Sequence, residues 1–224
     1  MECEPGNFCS NAAREWNGVI YPLMMNSQLK YLIFAYILMW GVIFILPFFS
    51  FESYSIIKNT TSHLGAQNAP NGWIMNLTFI CLGLGSLLSG WNYLKGYFFH
   101  RIVLSVFSLA LILAAFFQHA PIEAGIPFNE TEDNLHSVLA SITGFAFTLF
   151  AISSAFIVRK TQDKILALSA GIIATLLSLL MFQLESLMGV WQRGIFIGSF
   201  GWMIYFFSDF GRLEPSSSEE KAKH

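Results

Sequence analysis

Long apolar runs separated by short polar segments set the pattern of this chain. Runs near residues 31–51, 73–94, 102–118, 136–158, 164–186 and 194–208 are almost free of charge. At about 1.5 Å rise per residue, most are long enough to cross a hydrocarbon core of about 30 Å. The pattern predicts an all-α polytopic membrane protein, a six-transmembrane-helix bundle over residues 29–208. Residues 1–28 then form a cytoplasmic N-terminal segment and residues 209–224 a cytoplasmic, disordered tail rich in Ser, Glu and Lys. The N-terminus is acidic and holds Pro5 and Gly6, so it is not expected to be a cleaved signal peptide.

Composition agrees with the pattern. Of 224 residues, 54% are hydrophobic and only 12% charged, far from an ordinary soluble domain. No period of 20–50 residues recurs, which excludes a repeat array. Cys3 and Cys9 lie near the start and Cys81 inside a run, so neither a disulfide framework nor a cysteine metal cluster is indicated.

The charges orient the bundle. With six spans both termini share one side, and Arg14, Lys30, Lys95, Arg101, Arg159, Lys160, Lys164, Arg212, Lys221 and Lys223 lie there, against Lys58 and Arg193 opposite. The positive-inside rule makes that side cytoplasmic, and the expected location is the inner or plasma membrane, multi-pass. Glu52, Glu123, Glu130, Glu132, Asp133 and Glu185 fall on the outer face and leave it acidic. Such a mouth repels anions and favours cations. Membrane lipids are expected partners and nucleic acid is not.

Three outer elements carry the polar chemistry. The first, "YSIIKNTTSHLGAQNAPNGWIMN", is neutral, hydrogen-bonding and turn-forming; Pro70 biases Ala69 away from helix, and Asn71 with Gly72 tolerates a left-handed turn. Ser62, His63 and Gln67 are its candidate ligand-binding residues. The second runs from His119 to His136. Its D-x-x-H spacing places Asp133 and His136 on one face of an opening helix, and with His119 they form a candidate ligand set for one divalent metal such as zinc. Glu132 and Asp133 also suit a helix first turn without any metal, by complementing its positive end. His136 is expected at a helix entrance rather than in the packed interior. The third is "QLESLMGVWQRG", in which Gly189 breaks the fifth helix and Gln192 with Arg193 opens the sixth. A cation there opposes the helix dipole unless an acid or an anionic ligand compensates it, and Glu185 is the first candidate partner.

Several classes are disfavoured. Apart from Glu185 near one end, no acidic or basic residue lies deep within a run, so an ion relay across the bilayer is unsupported. The histidines lie at helix ends or in loops rather than paired in the core as a di-haem site requires. There is no Gly-rich phosphate loop, G-x-S-x-G elbow or H-E-x-x-H motif. The small-residue run "CLGLGSLLSG" suits close helix packing.

Three short motifs carry a resemblance. They are S-x-L-G-A at Ser62, Leu64, Gly65 and Ala66, the acid and histidine at Asp133 and His136, and W-Q-R at Trp191, Gln192 and Arg193. Over about Lys30 to Phe207 the chain resembles the prokaryotic polytopic membrane family catalogued as domain of unknown function nine hundred and ninety-eight. The resemblance implies a multi-helix membrane fold and brings no activity with it.

The expected function is an integral membrane protein with a polar, acidic pocket on its non-cytoplasmic face. The pocket binds a small molecule or lipid headgroup, and in its catalytic form is a metal-assisted hydrolase. There His119, Asp133 and His136 hold the cation, while Gln192 and Arg193 orient an anionic group. The alternative is a non-catalytic binding, sensing or scaffold protein whose polar loops only cap the bundle.

Overall fold

Pro47 ends the first long helix, because a residue without an N–H cannot continue the α-helical ladder. In the computed structural model, which describes residues 26–214, helix α1 (Leu29–Ile45) passes at that point into a 3₁₀ turn, Leu46–Phe49. The remaining helices are a short α2 (Thr61–Leu64), α3 (Gly72–Tyr93), α4 (Phe98–Phe116), α5 (Glu130–Ser154), α6 (Thr161–Gln183) and α7 (Met188–Phe207). Among the described residues there is no strand beyond an isolated antiparallel bridge between Val158 and Leu213.

The fold is a closed ring of long helices. Neighbours in sequence pack as neighbours in space, from α1 against α3 through to α6 against α7, and α1 meets α7 to close the ring. Five helices are long and apolar enough to cross a membrane: α1 with its 3₁₀ extension, α3, α4, α5 and α6. The chain is thus a helical membrane protein. The sixth long helix, α7, is not among the five; Gln192 and Arg193 in its first turns lower its apolar character.

Burial differs sharply among the spans. Over its most apolar window α3 is 56% buried and α6 only 17%, so α3 is central and α6 faces outward along most of its surface. Glycine makes the central position of α3 feasible. A Cβ at Gly85 would stand 3.0 Å from the Leu32 Cα, so only a bare backbone lets α1 approach this closely. Aromatic rings fill the space beside α7, where Trp202 stacks on Phe206 at 5.1 Å and meets Phe147 and Phe150 edge-on at 5.8 and 5.9 Å.

Two expected boundaries move. Gly189 does not break a helix: α6 ends at Gln183 and Gly189 lies in the first turn of α7, where it lets the helix touch the backbone carbonyls of Ile56, Ile57 and Asn59. Residues 209–214, assigned above to a disordered tail, fold onto the bundle. Arg212 donates to the buried Asp163 carboxylate at 2.8 Å, and the backbone of 212–214 pairs with that of 157–159. A buried carboxylate needs such a cation, which holds the segment down. The rest of the expected tail, 215–224, and residues 1–25 of the N-terminal segment lie outside the described residues.

Candidate functional site

Alternating helix direction gathers three connections at one end of the bundle: residues 46–71, 117–129 and 184–187. Their polar side chains mostly bind one another's backbone. Asn71 adopts the left-handed conformation (φ 57°) expected of it, starts α3, and donates to the Phe49 carbonyl at 3.0 Å. Asn68, also left-handed, donates to Pro127 at 3.1 Å. Asn76 reaches back from α3 to the Gly65 carbonyl at 3.1 Å.

Gln67 joins the first two connections. Its Oε1 accepts from the Asn129 N–H at 2.7 Å, and its Nε2 donates to the Asn129 and Gln118 carbonyls, both at 3.0 Å. The Gln67 backbone N–H donates to the His119 carbonyl at 2.9 Å. Both its side-chain polar atoms and its N–H are in use, so Gln67 acts as a fastener.

Arg193 fastens the first connection to α7. It is buried and has no carboxylate beside it. Its Nη1 donates to the carbonyls of Ile56, Asn59 and Gly189 at 2.8, 3.1 and 3.0 Å, Nε to Ile43 at 3.3 Å, and Nη2 to the Tyr54 hydroxyl at 2.8 Å. The expected Glu185 partner is absent: Glu185 sits exposed in a 3₁₀ turn, and among the described residues the ion pairs are His119–Asp133 and Arg212–Asp163. Converging carbonyl dipoles spread the charge instead. Burial raises the Tyr54 phenol above its ordinary range, against the lowering pull of the Arg193 charge. Next to Arg193, the Gln192 Oε1 accepts from both the backbone N–H and the hydroxyl of Thr61 at 2.6 Å. With its donors committed to loop oxygens, Arg193 is poorly placed to orient an anion, while on Gln192 it is the oxygen that is committed.

A histidine cluster stands apart from this lacing. His63 and His119 lie with ring centroids 4.6 Å apart, and His119 and His136 5.4 Å apart. Hydrogen bonds fix where the protons sit. The His63 Nδ1 accepts from the Thr60 N–H at 3.1 Å, completing a capping box on α2, so its own proton is on Nε2. The His136 Nδ1 faces the carbonyls of Ala114 and Phe117 at 2.9 and 2.8 Å and must donate, which leaves Nε2 as an acceptor; that atom is buried without a partner. The His119 Nδ1 faces the Ala120 carbonyl and Asp133 Oδ1, both at 3.2 Å, and carries a proton toward them. Asp133 Oδ1 also accepts from the Ala120 N–H at 2.8 Å. Burial holds the His63 imidazole down at about 4; nearby His119 and His136 add to the lowering and Asp133 opposes it.

This arrangement differs from the expected metal centre. Among the described residues no three His, Cys, Asp or Glu side chains are placed to hold a metal ion. Asp133 is turned to the Nδ1 of His119 and the N–H of Ala120, and the His136 Nδ1 is held by two carbonyls of the α4 end. His136 is also not at an exposed entrance. It is 3% exposed and ties α5 to the C-terminal end of α4. Ser62 is buried in α2, with only its backbone carbonyl engaged, by the Gly65 N–H. Sequence reasoning missed Tyr54, Thr61 and Asn76, because each acts on a backbone group or side chain that only the folded loops bring near.

The three motif segments therefore meet at one end: Ser62 to Ala66 within the first connection, Asp133 and His136 at the opening of α5, and Trp191 to Arg193 in α7. Residues 33–209 match the family described as protein of unknown function (DUF998). The chain belongs to that family. The match runs from within α1 to just past α7, so the DUF998 region takes in all of the ring but the first turn of α1, and all three connections. No curated protein and no solved structure matches the chain.

Proposed function

We propose that this DUF998 protein spans the inner or plasma membrane six times with both termini cytoplasmic, and binds a small polar molecule or lipid headgroup at its outer, loop-rich end. The single observation that carries the reading is the His119–Asp133 pair beside the partnerless buried Nε2 of His136. A buried acceptor without a donor costs about 1–3 kcal/mol, a cost that a bound hydroxyl or amide relieves. The chemistry on offer is hydrogen bonding: an acceptor at His119 Nε2 and a donor at His63 Nε2, with acids in the surrounding loops that suit the hydroxyl or amine of a headgroup. In a hydrolytic form, Asp133 holds the His119 proton on Nδ1 and leaves Nε2 as general base for a water molecule. A metal-assisted form at His119, Asp133 and His136 has weaker support, since Asp133 is engaged by the Ala120 N–H and the His119 Nδ1.

Two observations support the sixth span. Helix α7 has 20 residues, about 30 Å at the α-helical rise, and the Arg193 guanidinium and the Gln192 oxygen are satisfied by loop atoms rather than left to lipid. The ten-to-two division of the cations supports the orientation.

A second reading has its own observation. Gln67, Gln192 and Arg193 are spent on lacing the loops, as expected of a binding-free cap or scaffold. Mass spectrometry of molecules that co-purify with wild type and with His119→Gln separates the two. The binding reading expects a species enriched with wild type and lost with the variant; identical sets from both proteins leave the capping reading. Adding zinc to both samples tests the metal form, which requires a rise in Tm for wild type alone.

A further inference from the structure

The end of the bundle opposite the His63–His119–His136 cluster holds an independent site. Where α3 ends and α4 begins, Trp91, Phe98, Arg101, Ile102, Ser105, Val106 and Leu109 line a groove of about 340 Å³ open to the outside of the ring. Its walls are apolar and exposed: Phe98 at 76%, Leu109 at 57% and Trp91 at 47%. From Arg101 to Leu109 it runs along about 12 Å of α4, at the rise of an α-helix.

Arg101 stands at one end of this groove in a fixed pose. Its Nε and Nη2 both donate to the Trp91 carbonyl, at 2.9 and 2.7 Å, and its guanidinium lies over the Trp91 ring at 4.8 Å. That carbonyl is one of the last four of α3, which have no partner within the helix. Fork and stacking hold the side chain still, and Nη1 remains without a partner among the described residues. No carboxylate pairs with Arg101 either, since the ion pairs there are two and neither includes it. The result is an oriented, uncompensated cation at the mouth of an apolar trough, with a tryptophan beside it as at a membrane–water boundary.

The geometry points to a binding site for an anionic glycerophospholipid of the surrounding bilayer, with one acyl chain in the groove and the phosphate on Arg101 Nη1. Charge complementarity selects the occupant. A zwitterionic lipid brings its own cation to the phosphate, whereas an anionic one leaves the guanidinium its only close counter-charge. Lys95, exposed in the 94–97 connection, adds to the positive field on the same side. This site is separate from the histidine cluster and does not depend on the function proposed for it.

The test is native mass spectrometry of the protein released from nanodiscs made of equal parts phosphatidylglycerol and phosphatidylcholine. Wild type is expected to retain phosphatidylglycerol in preference. Arg101→Gln should lower that preference about fivefold, the effect of one basic side chain at an anionic surface. Ile102→Trp, which fills the groove from an exposed position, should lower total lipid retention, and Lys58→Gln at the other end should change neither. Circular dichroism confirms the fold, and if Arg101→Gln misfolds, Ile102→Trp alone decides. Equal retention of the two lipids by wild type overturns the proposal, as does an unchanged preference in a folded Arg101→Gln or unchanged retention in Ile102→Trp.

Discussion

The side chain of Gln67 treats Asn129 as one β-strand residue treats another, accepting from its N–H at 2.7 Å and donating to its carbonyl at 3.0 Å. Asn129 in turn caps α5, its side chain accepting from the N–H groups of Thr131 and Glu132. One glutamine thus ties the first connection to the start of the fifth helix and sets how far apart the two histidine-bearing segments lie.

Gln67→Ala removes that pairing, leaving the part-buried Asn129 N–H and the Gln118 carbonyl without it, while the Asn129 carbonyl keeps the Asp133 N–H. Its cost should be about 1–3 kcal/mol, read as a lower Tm in detergent. Ser53→Ala, which loses one exposed bond to Glu123, should cost much less. Equal losses would show that the Gln67 pairing contributes nothing special.

Arg193 makes five hydrogen bonds that no other side chain can reproduce. Arg193→Ala should destabilise by on the order of 3 kcal/mol, and Arg193→Lys should recover less than half, because an ammonium cannot span carbonyls that converge on a planar fork. Gly189→Ala should be similarly harmful, since its methyl group would collide with the carbonyls of Ile56 and Asn59. Thermal melts of the three against Lys58→Ala decide the matter; a fully stable Arg193→Lys would mean that charge alone suffices.

His63 predicts a pH dependence with a definite sign. Its imidazole titrates at about 4 in the folded protein and near 6.5 when unfolded. The unfolded chain therefore takes up the proton first as pH falls. Stability is full above pH 6.5 and declines toward pH 4. His63→Gln keeps the capping box, because a Gln side chain can also accept from the Thr60 N–H, and should flatten the decline. Tm measured across that window for both proteins should diverge; parallel curves would assign the slope to other groups.

His136→Ala should destabilise the bundle, since the residue is buried and its Nδ1 holds two carbonyls at the end of α4. A loss of about 2 kcal/mol fits two buried carbonyls left unpaired. His136→Asn, whose amide can still donate, should lose less. Equal Tm for His136→Ala and wild type would contradict this packing role.

Orientation is tested by impermeant thiol labelling in intact cells, with Cys3, Cys9 and Cys81 replaced by Ser. Lys58→Cys and Ala124→Cys, both exposed at the loop-rich end, should react, and Lys95→Cys and Gln162→Cys at the other end should not. Thr60 is unsuitable as a probe because it is buried in the folded loop. The reverse pattern would invert the topology.

Long apolar runs alone were enough to specify a helical membrane protein, because the cost of unpaired backbone in lipid leaves the helix as the only form for such a segment. The left-handed turn at Asn71, the acidic first turn of α5 and the meeting of the three motif segments at one end were legible for the same kind of reason: local chemistry and the parity of the spans decide them. Partner choice was not legible. Arg193 appeared to need Glu185, yet the fold offers it five oxygens from segments up to 150 residues away. His119, Asp133 and His136 have the residue types of a metal site, but hydrogen bonds set which nitrogen carries each proton and turn Asp133 toward His119. Those bonds exist only once α4 ends beside the start of α5 and Gln67 has drawn the first connection against them. Sequence determines which groups a segment can offer; tertiary structure decides which of them remain free.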